Sequence, residues 1–337
     1  MRTEILSLKS LSEIERTSYE ALFAASGAPV FYSWHFLIAA ELSPLLPYRE
    51  IRYLCATEGG RLVGLMPAYL QENVDPFGVI AQTTGMAFAP TTPVMLTHIM
   101  HATETCVVCA PQDLAWVAPP LLGALEQAGR ACGAQYIALL NVVSPELMEI
   151  GKGAGYACTY MWDRFNAVLR PGATLEQVIE EFPTKGRWEM KRQRRKFDRS
   201  SSAIEMLPVR QADVDGFAEL CFRTTVKNGT PSYYPVDAMR QLVHHCADIA
   251  LVLSVRCEGR LCGSGIVFPD GRKIHFWALG VDYDLSEYSP YSMLFSALYD
   301  YAITQGFEVV EVGRTNKYIK ERLGFKAVPL YSLIKST

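Results

Sequence analysis

Apolar runs set off by glycine turns divide this chain into strands and helices that recur in a fixed order. RYLCAT and LVGLMPAYL flank the turn in Gly60-Arg61-Leu62-Val63-Gly64, while ALVLSVR and LCGSGIVF flank the one in Gly259-Arg260-Leu261-Cys262-Gly263. Two β-branched apolar runs joined by a short glycine turn predict a β-hairpin in each half. Downstream, PLLGALEQAGRACGAQYIALLNV and SPYSMLFSALYDYAITQGFEVVEVG each predict a helix, stopped near Gly133 or Gly306, and then a strand. An Ala-Leu pair begins nine residues ahead of the stopping glycine in both, at Ala124 and Ala297. A short helix running into Gly155-Tyr156 or Gly324-Phe325, and then a closing strand, complete each half.

Three matches in one order predict a duplicated α/β unit: helices, hairpin, third strand, helix, strand, helix, strand. The hairpin-to-helix stretch is about 26 residues longer in the first copy, where residues 71–117 read as short strands and loops. The turn at Arg170-Pro171-Gly172 predicts the boundary, giving domains 1–170 and 171–337.

Composition fits this division. A chain of 337 residues, 50% apolar and 20% charged, suits two domains and excludes disorder as the main state. It has no run of about 18 uncharged apolar residues, so no membrane span is expected. MRTEILSLKSLSEIER turns polar and acidic too early for a signal peptide. Nine cysteines spread through apolar stretches predict free thiols in a reducing, cytoplasmic setting. His98-x-x-His101 and Cys106-x-x-Cys109 have zinc-like pair spacings, but the linker between the pairs is short and the cysteine pair reads as a strand. They read as buried thiols and loop histidines, and no metal site is expected.

A net charge of −3 gives no chain-wide basic footprint, so DNA is not an expected partner. The average conceals KGRWEMKRQRRKFDR, residues 185–199, which carries eight basic residues against Glu189 and Asp198. As a helix it sets Arg187, Lys191 and Arg195 on one stripe and Arg192, Lys196 and Arg199 on the next. Such like-charge ladders destabilise a free helix, so either an anionic partner or the chain's own acidic residues compensate. Trp188 and Phe197 supply stacking surface for RNA, or else the face that docks the helix.

The last forty residues carry a more specific pattern: Glu311-Val312-Gly313-Arg314-Thr315, then Tyr318-Ile319-Lys320-Glu321-Arg322-Leu323-Gly324-Phe325, then Val328-Pro329-Leu330-Tyr331. This resembles the C-terminal signature of FemAB-like double-GNAT acyltransferases and of the related BioF2-like domain, both of the GNAT superfamily. Asn228-Gly229-Thr230-Pro231 and the basic helix agree with it, so the resemblance runs from Thr184 to the end. The first half agrees only in the order of its elements. The resemblance implies an α/β fold with a mixed (α+β) sheet in two tandem GNAT-like units. FemAB-like members move an aminoacyl group from aminoacyl-tRNA to an amine, usually on a peptidoglycan precursor, or are associated with exopolysaccharide export. The chain departs from acetyl-CoA-dependent relatives at Leu285-Ser286-Glu287-Tyr288-Ser289-Pro290-Tyr291, which replaces a glycine-rich phosphate loop with side chains that obstruct it. Ser289 as N-cap and Pro290 at the first helical position can still start a helix that accepts one phosphate.

Making an amide from an ester or thioester needs a neutral amine at the carbonyl, donors for the oxyanion and a proton route to the leaving group. By its place in the resembled fold, residues 273–280 are the splayed central strand, and Phe276, Trp277, Ala278 and Leu279 border the carbonyl with backbone N–H groups. His275 alternates with Lys273 and Trp277 and is one candidate base; it also reads as a satisfied strand histidine. Glu311 is the better-placed base, or else a buried carboxylate paired with Arg314 or Lys320. Tyr288 and Tyr291 stand where a phenol can protonate a leaving group, or where it simply packs. Arg314 and Lys320 bind phosphate or polarise a carbonyl, or are surface helix cations. Arg187, Lys191, Arg192, Arg194, Arg195 and Lys196, with Arg314 and Ser289, make up the expected donor-binding set.

The resulting expectation is an amide-forming acyltransferase without a tightly bound cofactor. Aminoacyl-tRNA leads as donor, ahead of an acyl-CoA or acyl-carrier thioester. tRNA is thus the expected macromolecular partner, and the acceptor is a small-molecule, peptide or amino-sugar amine. A non-catalytic, degenerate GNAT module binding a partner in envelope or polysaccharide assembly is the reading from a different class.

Overall fold

The computed structural model describes residues 3–86, 88–285 and 287–337, so Ser286 of the crowded loop lies outside the described residues. In the first half, strand β1 (Thr3–Leu8) precedes the hairpin of β2 (Tyr48–Glu58) and β3 (Arg61–Gln71). Then come β4 (Val94–Thr97), β5 (Val108–Cys109), β6 (Tyr136–Val142) and the closing strand β7 (Ala157–Val168). The second half has β8 (Ser202–Pro208), the hairpin of β9 (Leu251–Cys257) and β10 (Arg260–Asp270), then β11 (Lys273–Val281), β12 (Val309–Glu311) and β13 (Lys326–Ser336).

The five-residue repeat has a physical cause at each glycine. Gly59-Gly60 and Glu258-Gly259 form two-residue turns in which both residues have positive φ, the twist a tight hairpin requires. In both hairpins the register then skips one residue, Val63 in β3 and Cys262 in β10, which is a β-bulge. The second glycine receives a helix. A Cβ on Gly64 would lie 2.3 Å from Val117 in the helix Leu114–Ala131, and one on Gly263 would lie 3.1 Å from Pro290 in the helix Pro290–Thr304. Gly133 and Gly306 follow these helices with φ of 73° and 76°, and Gly155 and Gly324 precede the closing strands with φ of 85° and 84°.

The chain forms two compact units, one up to Trp162 together with Pro329–Thr337, the other Asp163–Val328. The cut expected near Arg170 therefore falls inside β7 instead, and the chain is cut again inside β13. Pairing explains both cuts. In the first unit β6 pairs antiparallel with residues 331–336 of β13, and in the second β12 pairs antiparallel with residues 166–168 of β7. Each copy's last strand thus supplies the neighbour of the other copy's penultimate strand.

In the second unit the strands lie in the order β7 end, β12, β11, β10, β9, β8. Phe165, Ala167, Val255, Val267, Ile274, Phe276 and Val310 face a core closed by the helices Leu175–Glu180, Thr184–Phe197 and Pro290–Thr304. The helix Val214–Lys227 packs on β11, where a Cβ on Gly280 would lie 2.1 Å from the Leu220 carbonyl carbon. In the first unit the helix Leu114–Ala131 contributes Val117, Leu121 and Leu125 to the core.

Candidate active site

In the second unit the sheet forks at one point. β11 runs parallel to β12 only from Lys273 opposite Val309 to His275 opposite Glu311. Beyond it the chain continues beside β7, with the Val312 N–H donating to Phe165 O at 2.9 Å and the Phe165 N–H to Gly313 O at 3.0 Å. β11 stays with β10 as far as Val281 and carries one extra residue, Trp277, in the register. His275 and Glu311 are thus the last paired residues, and Phe276, Trp277, Ala278 and Leu279 follow on the branch that has left β12.

A buried ionic cluster occupies the fork. Glu311 is 3% exposed, with the Arg164 Nε 3.5 Å from its Oε2 and the Gly313 N–H 3.4 Å from its Oε1. Burial raises its pKa, while Arg164, His275, the Gly313 N–H and Lys320 pull it down. Lys320, also 3% exposed, projects inward from the helix Lys317–Arg322 and donates its Nζ to Val312 O. Burial pushes this ammonium down to about 7; Glu311 opposes the shift and Arg314 adds to it. His275 Nε2 lies 2.9 Å from Asp270 Oδ2, and Arg314 Nη2 donates to the Tyr233 hydroxyl at 2.8 Å. Arg164, Asp270 and Tyr233 are members that sequence reasoning missed. Arg164 lies far upstream on β7, and only the pairing of that strand with β12 reveals it.

A cleft of about 670 Å³ opens at the start of the helix Pro290–Thr304. Val281, Asp282, Tyr283, Tyr288, Ser289 and Tyr291 line it from β11 and the following loop, Lys227 and Asn228 from one side, and Ile319 and Arg322 from another. Ser289 is the N-cap: its hydroxyl accepts the Ser292 N–H at 3.2 Å, and its own N–H donates to Gln193 Oε1 at 2.8 Å. Tyr288 hydrogen-bonds Ser202 Oγ at 2.9 Å and packs edge-on to Phe197, and burial raises its phenol to about 12. The Ser202 bond and the Phe197 contact hold the ring in place. The expected residues therefore fall in two places. Tyr288, Ser289 and Tyr291 line the cleft, whereas Glu311, His275 and Lys320 lie in the cluster at the fork. The helix Lys317–Arg322 serves both, with Ile319 and Arg322 lining the cleft and Lys320 turned toward Glu311.

The predicted basic helix spans Thr184–Phe197 and buries Gly186, Met190 and Gln193. Only glycine fits at 186, because a Cβ there would lie 1.7 Å from Arg322 O. Arg187 and Lys191 pair with Glu180, Arg194 with Glu176 at 3.1 Å, and Arg192 with Glu189 at 2.6 Å. Lys185, Arg195, Lys196 and Arg199 are exposed or half-buried and have no ion pair among the described residues. Internal compensation and free positive charge thus belong to different residues of one segment. The aromatic pair divides likewise: Phe197 docks against Tyr288, and Trp188 stays in solvent with the Arg192 guanidinium 5.3 Å over its ring. Gly186 and Glu189 also line the cleft, so this helix forms one of its walls.

In the first unit His98 is buried, its Nε2 2.7 Å from Phe31 O, and burial lowers its pKa to about 4. All nine cysteines are free, and among the described residues no three His, Cys, Asp or Glu side chains gather as a metal would require. No helix of the described residues is long and apolar enough to cross a membrane.

Residues 184–321 match the family model of the acetyltransferase (GNAT) domain. No curated protein matches the chain. Among solved structures, FemX aligns over 100% of this chain and 98% of its own with a TM-score of 0.68 and 9% identity. The C-terminal domain of a proposed lysylphosphatidylglycerol synthetase from Agrobacterium fabrum aligns over 96% of this chain and 93% of its own, with a TM-score of 0.59 and 11% identity. A tandem GNAT protein from the clavulanic acid biosynthesis pathway covers 99% and 98%, with a TM-score of 0.58 and 10% identity. At these identities the shared feature is the fold, and it is the tandem GNAT arrangement that the duplicated pattern predicts.

Proposed function

We propose that this chain, with a match to the acetyltransferase (GNAT) domain in its second half and the fold of FemX and of a tandem GNAT protein, is an acyltransferase that moves an aminoacyl group from aminoacyl-tRNA onto an amine. The observation that carries the choice of donor is that the helix walling the cleft with Gly186 and Glu189 continues into the exposed Arg195 and Lys196. A donor that reaches from this cleft along Arg195, Lys196 and Arg199 is long and polyanionic. The loop ahead of the helix Pro290–Thr304 supports the same choice. Ser289 already satisfies the Ser292 N–H, so the helix start offers little of the backbone cradle that a pyrophosphate needs.

In the proposed reaction the acceptor nitrogen forms a C–N bond to the aminoacyl carbonyl as the ester C–O bond breaks. The nitrogen gives up a proton and the departing ribose oxygen takes one. Glu311, whose pKa burial raises, is the proposed acceptor of that proton, with His275, held by Asp270, as the second candidate. Lys320, which changes charge at about pH 7, is the proposed proton donor on the leaving side. The branch from Phe276 to Leu279 would border the oxyanion. No tightly bound cofactor is needed, and the acceptor is a small-molecule, peptide or amino-sugar amine. Nine free thiols support a cytoplasmic setting.

Acetyl-CoA, named with the tandem GNAT neighbour, represents the rival donor class. Incubation with a charged-tRNA pool and, separately, an acyl-CoA panel, with mass spectrometry of the donors, decides between them. Amine-dependent deacylation of tRNA is expected, steeply weakened by salt and by Arg195→Glu with Lys196→Glu. For every phosphate that the variant no longer neutralises, the logarithmic salt slope should flatten by about 0.7. Turnover of an acyl-CoA alone, unchanged in the charge-reversed variant, overturns the proposal.

A further inference from the structure

Three large aromatic side chains stand in solvent on the elements that line the cleft: Trp188 at 60% exposure, Tyr283 at 45% and Tyr318 at 63%, of which Tyr283 lines it directly and Trp188 and Tyr318 adjoin the lining residues Glu189 and Ile319. Each carries a cation against its ring. Arg192 lies 5.3 Å over Trp188, Lys227 3.3 Å over Tyr283, and Arg322 4.0 Å over Tyr318. Each pair is tied to the cleft. Lys227, Tyr283 and Arg322 line it directly, and Arg192 is bonded to the cleft-lining Glu189. Single exposed aromatic residues are ordinary on a protein surface, but three on the elements that build one cleft, each beside a cation, form a patterned surface.

We infer that Trp188, Tyr283 and Tyr318 form a stacking platform for the unpaired nucleotides at the 3′ end of an RNA donor, an inference that rests on the donor reading above. An unpaired nucleotide offers a flat base to a ring and a phosphate to a cation, and a ring-and-cation pair answers both. One ring would satisfy the single adenine of a coenzyme; three rings on the elements that build one cleft suit a run of nucleotides. A duplex hides its base faces, so it can meet the basic helix but not the rings. The platform therefore divides the work with that helix. Arg195, Lys196 and Arg199 attract the phosphates, and the rings select single-stranded RNA at the opening where the reactive ester must enter.

The test uses the full chain with a short single-stranded RNA ending in CCA, against a blunt RNA duplex of equal length at the same salt. The single strand is expected to bind more tightly. Trp188→Ala, Tyr283→Ala and Tyr318→Ala should each weaken it about fivefold or more, and Trp188→Phe and Tyr318→Phe, which keep a ring, should recover most of the loss. Thermal melts confirm folding, which these exposed rings should not affect. Unchanged affinity in the alanine variants, or equal affinity for strand and duplex, overturns the platform. If the alanine variants lose the oligonucleotide while charged tRNA is no substrate for the parent, the platform stands and the donor reading fails. If the triple alanine variant transfers from charged tRNA at the parent's rate, the platform fails and the donor reading stands.

Discussion

Lys320 and Glu311 oppose each other at the fork, and burial moves both away from their ordinary pKa values. For Lys320 the sign follows from proton binding. Its folded pKa of about 7 lies below the usual 10.5, so between those values the unfolded chain holds more protons and stability rises with pH. Below that window both states are protonated, and the fold carries the whole cost of a buried ammonium. Glu311 acts in the opposite sense, losing stability as pH rises from 4.5 through its raised folded value. Lys320→Met removes the first dependence. In urea unfolding at about pH 7.5 and 9.5, the parent should gain about 2 kcal/mol more than Lys320→Met. Parallel gains would show that Lys320 titrates normally. This cluster was half legible in the sequence. Glu311, Arg314 and Lys320 fall in one short motif, which the resemblance to FemAB-like proteins marks. Arg164 and Asp270 lie on other strands, and the strand pairing that brings them in leaves no local trace. Tyr288 is the converse case: its place beside Ser289 suggests chemistry, while its bond to Ser202 and its contact with Phe197 are visible only in the fold.

At the scale of elements, the basic helix is held by what it lacks. A helical glycine ordinarily costs about 1 kcal/mol relative to alanine, so Gly186→Ala should stabilise if propensity decided the outcome. Here its Cβ would sit 1.7 Å from the backbone oxygen of Arg322, and the close approach of helix Lys317–Arg322 decides instead. Gly186→Ala should lose about 1–3 kcal/mol and make the segment 184–199 more open to proteolysis. Gly123→Ala, in the exposed face of the helix Leu114–Ala131 with nothing within 4 Å of its Cβ, is the control and should be neutral or stabilising. A matching gain in both variants would mean the helix is not seated on Arg322. The hairpins and long helices were legible because turn glycines and apolar runs are local signals. The edge strands β1 and β8 were not, because their side chains are largely exposed or half-buried and leave no apolar run.

For the whole molecule, the duplication was legible but the boundary was not. β7 reads as one strand closing the first copy, yet its end belongs to the second unit. A cut at Arg170, where a turn advertises a boundary, removes Phe165, Ala167 and Leu169 from the second core and Arg164 from Glu311. It also leaves β12 with an open edge. Two fragments separate these readings, 163–328 and 171–328, which differ only in the end of β7 and the two residues after it. The longer fragment should be clearly the more stable in urea. Leaving a buried carboxylate without its cation costs about 3–5 kcal/mol, and the lost apolar side chains add to this. Supplying residues 163–170 as a peptide should restore part of the difference, by pairing Asn166 opposite Glu311 again. Equal urea midpoints for the two fragments would mean that the second unit does not need the strand. The turn at Arg170 would then be a true boundary, and Arg164 would have no part in holding Glu311.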